Sequence, residues 1–128
     1  MSYRFSKAEK ICSKYEIDAL FEKGKNLRAG SLGVKVLWQE TQDWPPLKFL
    51  VVVPKRRVKK AVDRNRLKRQ LREIIRLNKK VIENEVAKAN KRLLIAVIYN
   101  GQPKSNYSQL QSSFVRLVNQ MPEVINKI

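Results

Sequence analysis

Hydrophobic residues recur along the chain in blocks that follow helix and strand periods in turn. The first block predicts a helix over residues 14–22 that ends at Gly24. Its apolar residues, at i, i+3 and i+4, are Ile17, Leu20 and Phe21. Residues 32–38 alternate between two faces, which predicts a strand with one face in the core. A proline-rich loop at residues 39–46 leads to a second strand over residues 47–53, which we expect to pair antiparallel with the first.

The longest helical pattern follows a basic connector at residues 55–60. The apolar side of this helix is predicted to contain Leu67, Leu71, Ile74, Ile75, Asn78, Val81 and Ile82. Residues 83–90 either extend the helix or form a separate turn. Residues 93–99 are an unbroken apolar run, which is typical of a strand covered on both faces. A last helix opens near residues 105–106 and is followed by Pro122.

These elements, in the order αββαβα, predict an α+β fold, a two-layer α/β sandwich with a sheet of four strands or fewer. With 128 residues, 43% of them hydrophobic, the chain has room for a single domain over residues 1–128. We expect no targeting segment and no membrane span, because the apolar runs are too short to cross a bilayer. Cys12, the single cysteine, is interpreted as a small buried residue, and its isolation favours a cytoplasmic location.

The composition argues against catalysis by the polypeptide itself. Histidine is absent, which excludes histidine general bases and histidine-containing zinc sites. The 11 acidic residues are scattered along the sequence, so we expect no two-metal site. The four glycines match no phosphate-binding loop. We therefore predict no catalytic residue and no metal held by the protein.

Positive charge is concentrated in residues 55–80. The chain has 28 Lys and Arg against 11 Asp and Glu, a net charge of +17, and this segment has 13 basic and two acidic residues, a net charge of +11. Like charges one turn apart on a helix repel by about 0.2–0.5 kcal/mol per pair, and phosphate oxygens relieve that repulsion. We therefore favour nucleic-acid binding over a solvated basic face. A membrane-surface helix is a weaker alternative, because the apolar side is needed to cover the sheet.

Residues 60–73, KAVDRNRLKRQLRE, closely resemble the RNR element of bacterial ribonuclease P proteins, which reads approximately A-V-x-R-N-R-x-K-R-x-x-R-E. The resemblance extends to residues 10–24, 52–56 and 107–110. The chain departs from the family at Lys59 and Lys60, where most members have Gly-Asn. It also departs at three positions where an aromatic residue, a tyrosine and an arginine are common. These positions hold Ile17, Lys35 and Tyr99.

The resemblance implies both a fold and a function. The family fold is an α/β sandwich with a left-handed βαβ crossover through the RNR helix, whereas the general rule for crossovers favours the right-handed form. The family's protein is the accessory subunit of a ribonucleoprotein endonuclease that cuts the 5′ leader from precursor tRNA. The large RNA subunit holds most of the Mg²⁺ and performs the hydrolysis. We accordingly expect a protein that is monomeric alone, binds one catalytic RNA and contacts precursor tRNA.

Two surfaces follow from the resemblance. The RNR helix and its connector are expected to bind the catalytic RNA through Lys55, Arg56, Lys59, Lys60, Arg64, Asn65, Arg66, Lys68, Arg69, Arg72 and Arg76. For Asn65 the alternative is helix capping beside Asp63, and for Arg64 it is bracing of the sheet. The single-stranded leader is expected in a cleft between the first helix and the open sheet face, lined by Ile17, Phe21, Lys35 and Val52. For Phe21, ordinary core packing against Ile17 is equally open.

Two other functions compete with this interpretation. The residues alone also fit a structural RNA-binding protein such as a ribosomal protein, and a DNA-binding nucleoid protein comes third. All three classes bind polyanions through basic side chains, so composition does not separate them. The spacing of the RNR element favours the ribonuclease P subunit.

Overall fold

Three helices and four strands follow one another in the computed structural model, which describes residues 9–11, 13–41, 43, 45–102 and 106–127. The helices are α1 (Lys14–Lys23), α2 (Ala61–Ala87) and α3 (Tyr107–Lys127). The strands are β1 (Lys25–Ala29), β2 (Leu32–Gln39), β3 (Leu47–Val52) and β4 (Arg92–Tyr99). This content confirms the predicted α+β class. Cys12, for which burial was expected, lies outside the described residues.

The four strands form one sheet in the order β1-β2-β4-β3. β4 pairs antiparallel with β2 and parallel with β3, so the prediction that residues 47–53 pair with the first strand is wrong. The reason lies in β4, whose residues 93–97 are buried on both faces. A strand without a polar face is stable in the centre of a sheet. β4 therefore lies between β2 and β3. The parallel pair is joined through α2, as a βαβ crossover requires, and the handedness of this crossover stays a prediction.

A short strand that the hydrophobic pattern did not indicate, β1, pairs antiparallel with β2 at the edge of the sheet. Its sequence KNLRA offers only Leu27 and Ala29 to the core, which is too little for a strand signal. The two strands are joined by Gly30 and Ser31, and Gly30 has φ +56°, a left-handed conformation that glycine adopts without strain. With β1 the sheet reaches four strands, and the other elements keep their predicted order.

α2 and α3 cover one face of the sheet and enclose the main hydrophobic core. The structure confirms the predicted apolar side of α2 at Leu67, Leu71, Ile74, Ile75 and Ile82. Val81 is 54% exposed, so its placement on that side is wrong. At about 100° per residue, Val81 lies just beyond Ile74, outside the arc of the helix that the buried residues occupy. α2 continues to Ala87 and is followed by a turn in which Asn90 has φ +55°, so residues 83–90 contain both a helix end and a turn.

α3 begins next to Asn106, whose Oδ1 accepts a hydrogen bond from the Gln109 N–H at 2.9 Å, a typical N-terminal cap. The prediction that Pro122 follows this helix is wrong, because Pro122 lies inside α3. A proline removes one backbone donor and crowds the preceding turn. Here that turn is held against the core by the buried side chains of Val118 and Met121. None of the helices in the described ranges is long and apolar enough to cross a bilayer.

α1 packs on the other face of the sheet and covers part of it. A second buried cluster forms there, consisting of Ile11, Leu20, Leu94 and Ala96. The buried Glu16 carboxylate accepts hydrogen bonds from Lys48 Nζ at 3.1 Å and Gln39 Nε2 at 2.7 Å, which ties α1 to β3 and β2. α1 ends at Gly24 as predicted, and a Cβ on Gly24 would lie 2.4 Å from the carbonyl oxygen of Leu20. Glycine therefore permits the close return of the chain toward β1.

Candidate nucleic-acid interface

The basic connector, residues 55–60, is anchored at its centre and exposed on both sides of that anchor. Val58 is fully buried, whereas the four basic residues expected to bind RNA are exposed: Lys55, Arg56, Lys59 and Lys60. The Arg64 guanidinium donates hydrogen bonds to the carbonyl oxygens of Val58 at 3.0 Å and Lys59 at 2.8 Å. Arg64 therefore holds the connector against the first turn of α2, and the alternative that it braces the sheet is wrong. Its contact with RNA stays a prediction.

The connector and the first half of α2 together form the basic surface, which we define as Lys55, Arg56, Lys59, Lys60, Asn65, Arg66, Lys68, Arg69 and Arg72. Asn65, Arg69 and Arg72 are exposed, and Arg66 and Lys68 are half-buried. The capping alternative for Asn65 is wrong, because Lys60 occupies the N-cap position and Asn65 lies in the second turn of α2. The structure thus brings these predicted RNA-binding residues together on one continuous element.

Arg76, the last residue of the predicted RNA-binding set, forms an ion pair within α2. Its Nη2 lies 2.5 Å from Glu73 Oε1, and its Nε donates to Glu73 Oε2 at 3.1 Å. These hydrogen bonds lower the pKa of Glu73 below its ordinary value and raise the pKa of Arg76. Because Glu73 offsets the charge of Arg76, this pair marks the end of the basic surface. RNA binding by Arg76 stays a prediction.

A second exposed surface lies on the α1 side of the sheet, where α1 does not cover the strands. We call it the open sheet face: Phe21, Arg28, Gly33, Lys35, Val52 and Ile98. Lys35 Nζ lies 5.7 Å from the centre of the Phe21 ring and donates to the Phe21 carbonyl oxygen at 3.5 Å. The distance to the ring is that of a cation–π contact. Phe21 is 39% exposed, so the alternative that it is a core residue is wrong.

The other two predicted cleft residues, Ile17 and Val52, lie on the same side of the sheet. Ile17 packs against the buried cluster under α1. Val52 is half-buried and stands beside Ile98 of β4. Leu50, two residues earlier in β3, also packs on this cluster. Because side chains alternate along a strand, Val52 and Leu50 lie on the same face of the sheet. The structure puts Val52 on the open part of the face and Ile17 between α1 and the sheet.

Arg28 and Ile98 belong to the open sheet face but were not indicated by the sequence. Arg28 is exposed on β1 and pairs with Gly33, which in turn pairs with Ile98. Because Gly33 has no side chain, the surface is recessed between Arg28 and Ile98. Arg28 was missed because β1 was missed. Ile98 was missed because the apolar run at residues 93–99 has no alternation from which a face can be assigned.

The chemistry of these surfaces is that of binding. Among the residues that the structure describes, no three His, Cys, Asp or Glu side chains come together as metal ligands would. The basic surface offers guanidinium and ammonium groups, which bind phosphates. The open sheet face offers an aromatic ring, an apolar floor and two flanking cations, which suit an unpaired nucleic-acid strand.

Comparison with models of protein families gives a match to ribonuclease P over residues 5–122. The chain belongs to the ribonuclease P protein family. Membership confirms the sequence-based prediction of a ribonuclease P protein subunit, and the alternative of a ribosomal protein is not favoured. Membership in this family associates the chain with tRNA processing and with the RNA of ribonuclease P.

Curated relatives and a solved structure agree with this assignment. The ribonuclease P protein component of Porphyromonas gingivalis is 27% identical over 125 residues, which are 94% of this chain and 91% of that protein. The component from Rippkaea orientalis is 34% identical over 73 residues, 56% of this chain and 58% of the relative. The RNase P protein of Staphylococcus aureus matches the structure with a TM-score of 0.71 at 21% identity, over 88% of this chain and 94% of that one. That structural likeness establishes the fold.

Proposed function

We propose that this chain is the accessory subunit of a cytoplasmic ribonucleoprotein that removes the 5′ leader from precursor tRNA, and that the RNA subunit performs the hydrolysis. The observation that carries the proposal is the concentration of charge on the basic surface. Residues 55–72 contain ten basic residues and one acidic residue, a net charge of +9. A chain rich in cations, whose described residues form no cluster of acids, suits the binding of a polyanion rather than the cleavage of a bond.

The basic surface is the part that binds the RNA subunit in this proposal. Arg69 and Arg72 project from α2 into solvent, and a planar guanidinium can donate to two phosphate oxygens at once. Arg64 acts as a positioning residue, because its hydrogen bonds to Val58 and Lys59 fix the connector beside the helix. The connector cations then approach the RNA backbone from a fixed direction.

The open sheet face is the part that binds the leader. Stacking of a base on an aromatic ring contributes about 1–3 kcal/mol, and the exposed Phe21 ring is available for it. Lys35 lies over that ring and places a cation where the phosphate of a stacked nucleotide passes. Arg28 supplies a second cation at the sheet edge. Mature tRNA has no leader, so this surface distinguishes precursor from product.

The Mg²⁺ used in the reaction is held by the RNA in this proposal. The segment 55–76 offers two carboxylates, Asp63 and Glu73, and Glu73 is bound by Arg76. This donor set does not fit a resident Mg²⁺, which prefers several oxygen ligands. The protein's own contribution is to bring cations to the RNA and to hold the leader in place.

The test is a cleavage assay with purified components. Precursor tRNA is incubated with the protein alone, with the RNA subunit alone and with both, at a fixed low Mg²⁺ concentration. We expect no cleavage by the protein alone and faster cleavage by the pair than by the RNA alone. Analytical ultracentrifugation of the pair should give the mass of one protein per RNA. Cleavage by the protein without RNA would contradict the proposed division of roles.

A further inference from the structure

A polar cavity of about 640 Å³ lies between α3 and the sheet edge. It is bounded by the turn between β1 and β2, the end of β4 and the first three turns of α3. α3 packs on the main core and α1 on the second cluster, which lie on opposite faces of the sheet. The cavity is therefore separate from the open sheet face, and neither surface of the proposed function includes it.

The side chains that line this cavity are mainly hydrogen-bond donors. Five hydroxyls, two amides and one guanidinium line it, from Ser31, Tyr99, Ser108, Ser112, Ser113, Gln102, Gln109 and Arg116. No carboxylate is among the lining residues. Such a set favours a ligand that is negatively charged and rich in acceptor oxygens.

Ser113 is the most informative of these residues. It is only 4% exposed and lines the cavity. The hydroxyl stands beside Gly30, because a Cβ on Gly30 would lie 2.4 Å from Ser113 Oγ. A hydroxyl at the wall of the cavity can donate a hydrogen bond to a ligand bound there.

Arg116 approaches the same place from the next turn of α3. Its Nη2 would lie 3.2 Å from a Cβ on Gly30, so the guanidinium and the Ser113 hydroxyl flank one position at the β1–β2 turn. Because Gly30 has no side chain, both groups can pack this close to the turn. The Tyr99 hydroxyl, which also borders the cavity, already donates to the Gln102 carbonyl oxygen. The donors that remain for a ligand are therefore those of α3, the turn and the Gln102 amide.

We propose that this cavity binds a phosphate group, with the Arg116 guanidinium as the charged donor and the buried Ser113 hydroxyl as the second donor. The N-terminal end of α3 adds the positive end of its dipole nearby. The phosphate is either free in solution or part of an RNA backbone, and the two sources share this chemistry. Since the cavity lies across the sheet from the leader surface, the proposal stands independently of the proposed function.

The test is ¹⁵N NMR of the full chain, titrated separately with inorganic phosphate and with a short single-stranded RNA without terminal phosphates, both at constant ionic strength. We expect saturable shifts at the amides of Gly30, Ser31 and Ser113. A hydrogen bond to a charged group contributes enough that Arg116→Gln should weaken binding about tenfold or more. Ser113→Ala should weaken it about twofold to tenfold. Lys88→Gln removes a cation outside the cavity and should leave it unchanged.

The two titrations separate the sources of the phosphate. Shifts at the cavity with inorganic phosphate alone indicate a free ligand, and shifts with the RNA as well indicate a phosphodiester; either result supports the site. Thermal unfolding of Ser113→Ala checks the fold, which alanine in a helix should preserve. The proposal is overturned if neither titrant shifts these amides saturably, or if Arg116→Gln binds as tightly as the unchanged chain. Either outcome would mean that the cavity holds only water.

Discussion

The connector with the first part of α2 and the second part of α2 are both rich in charged residues but use charge differently. Residues 55–72 have ten basic residues and one acidic residue, a net charge of +9, whereas residues 73–87 have three of each and a net charge of zero. In the second segment the charges pair inside the fold: Arg76 with Glu73, and Lys79 with Glu9 at 2.5 Å. In the first segment Asp63 is the one acid available. Charge is thus sorted along the connector and α2, from a cationic first segment to a balanced second one.

The comparison separates the charges that are paired within the fold from those that the proposed function assigns to RNA binding. Repulsion between neighbouring cations makes the first segment less stable as a helix. That segment is nevertheless held in place, because Leu67, Leu71 and Val58 are fully buried and each buried side chain of this size contributes about 1.5–3 kcal/mol. These buried side chains thus offset the repulsion among the cations of this segment. The second segment needs no such compensation.

The largest expected effect lies in the second segment. Lys79→Met should lower the free energy of unfolding by about 3–5 kcal/mol, because the Glu9 carboxylate, 5% exposed, loses its cation. Urea denaturation measures this loss. In the double variant Lys79→Met, Glu9→Gln, most of the stability should return, since no charge is left buried. A loss below about 1 kcal/mol in the single variant would show that the pair behaves as a surface ion pair.

The next effect separates the two segments by affinity for RNA. Arg69 and Lys80 are both exposed on α2 and, being eleven residues apart, differ by only about 20° around the helix. Arg69→Gln should weaken binding to the RNA subunit about tenfold and reduce the slope of log affinity against log salt by about 0.7–0.9, as expected for one lost phosphate contact. Filter binding at several salt concentrations measures both quantities.

Lys80→Gln is the matched control, because it removes the same charge from the same side of the helix. We expect it to change RNA affinity by less than about twofold, and neither variant should change stability by more than about 0.5 kcal/mol. Equal losses of affinity in the two variants would contradict the comparison. They would mean that the RNA responds to the total charge of the chain and not to its position.

The same contrast explains how far the sequence alone could be interpreted. Long periodic segments were predicted well: the apolar side of α2 is buried at Leu67, Leu71 and Ile75, and the RNR spacing located the basic surface. The errors arose where a long-range choice decided the structure. Pairing of the second predicted strand depended on whether β4 would enter between its neighbours, and Pro122 remained helical because of contacts in the core.

The sequence also did not indicate which charged residues form ion pairs. Arg76 and Arg72 have the same side chain and are one turn apart on the same helix, yet only Arg76 meets Glu73. The cavity beside α3 could not be predicted either, because it depends on β1, whose sequence has no clear strand pattern. Sequence periodicity determines which face of an element is apolar, but not which neighbour that face or its charges will meet.

A smaller effect is expected on the open sheet face. Lys35→Ala should weaken binding of precursor tRNA by about twofold to fivefold, the scale of one partly exposed cation contact, and should leave binding of mature tRNA unchanged. Lys88→Ala removes an exposed cation at the far end of α2 and should affect neither. Affinity of the assembled ribonucleoprotein for the two tRNAs, measured by rapid gel filtration, tests this. Equal losses for precursor and mature tRNA would argue against leader binding at Lys35.

The smallest effect concerns pH and the pair that ends the basic surface. The hydrogen bond from Arg76 lowers the pKa of Glu73 from its ordinary value of 4.5, so this pair stabilises the fold above that pH and its contribution disappears as the pH falls through the lowered value. Arg76 keeps its charge throughout this range, because its pKa is raised. A ¹³C NMR titration of the Glu73 carboxylate should give a midpoint below 4.5, returning toward that value in Arg76→Gln. An unchanged midpoint in Arg76→Gln would mean that Arg76 does not bind Glu73 in solution. Its cation would then join the basic surface and extend it by one turn.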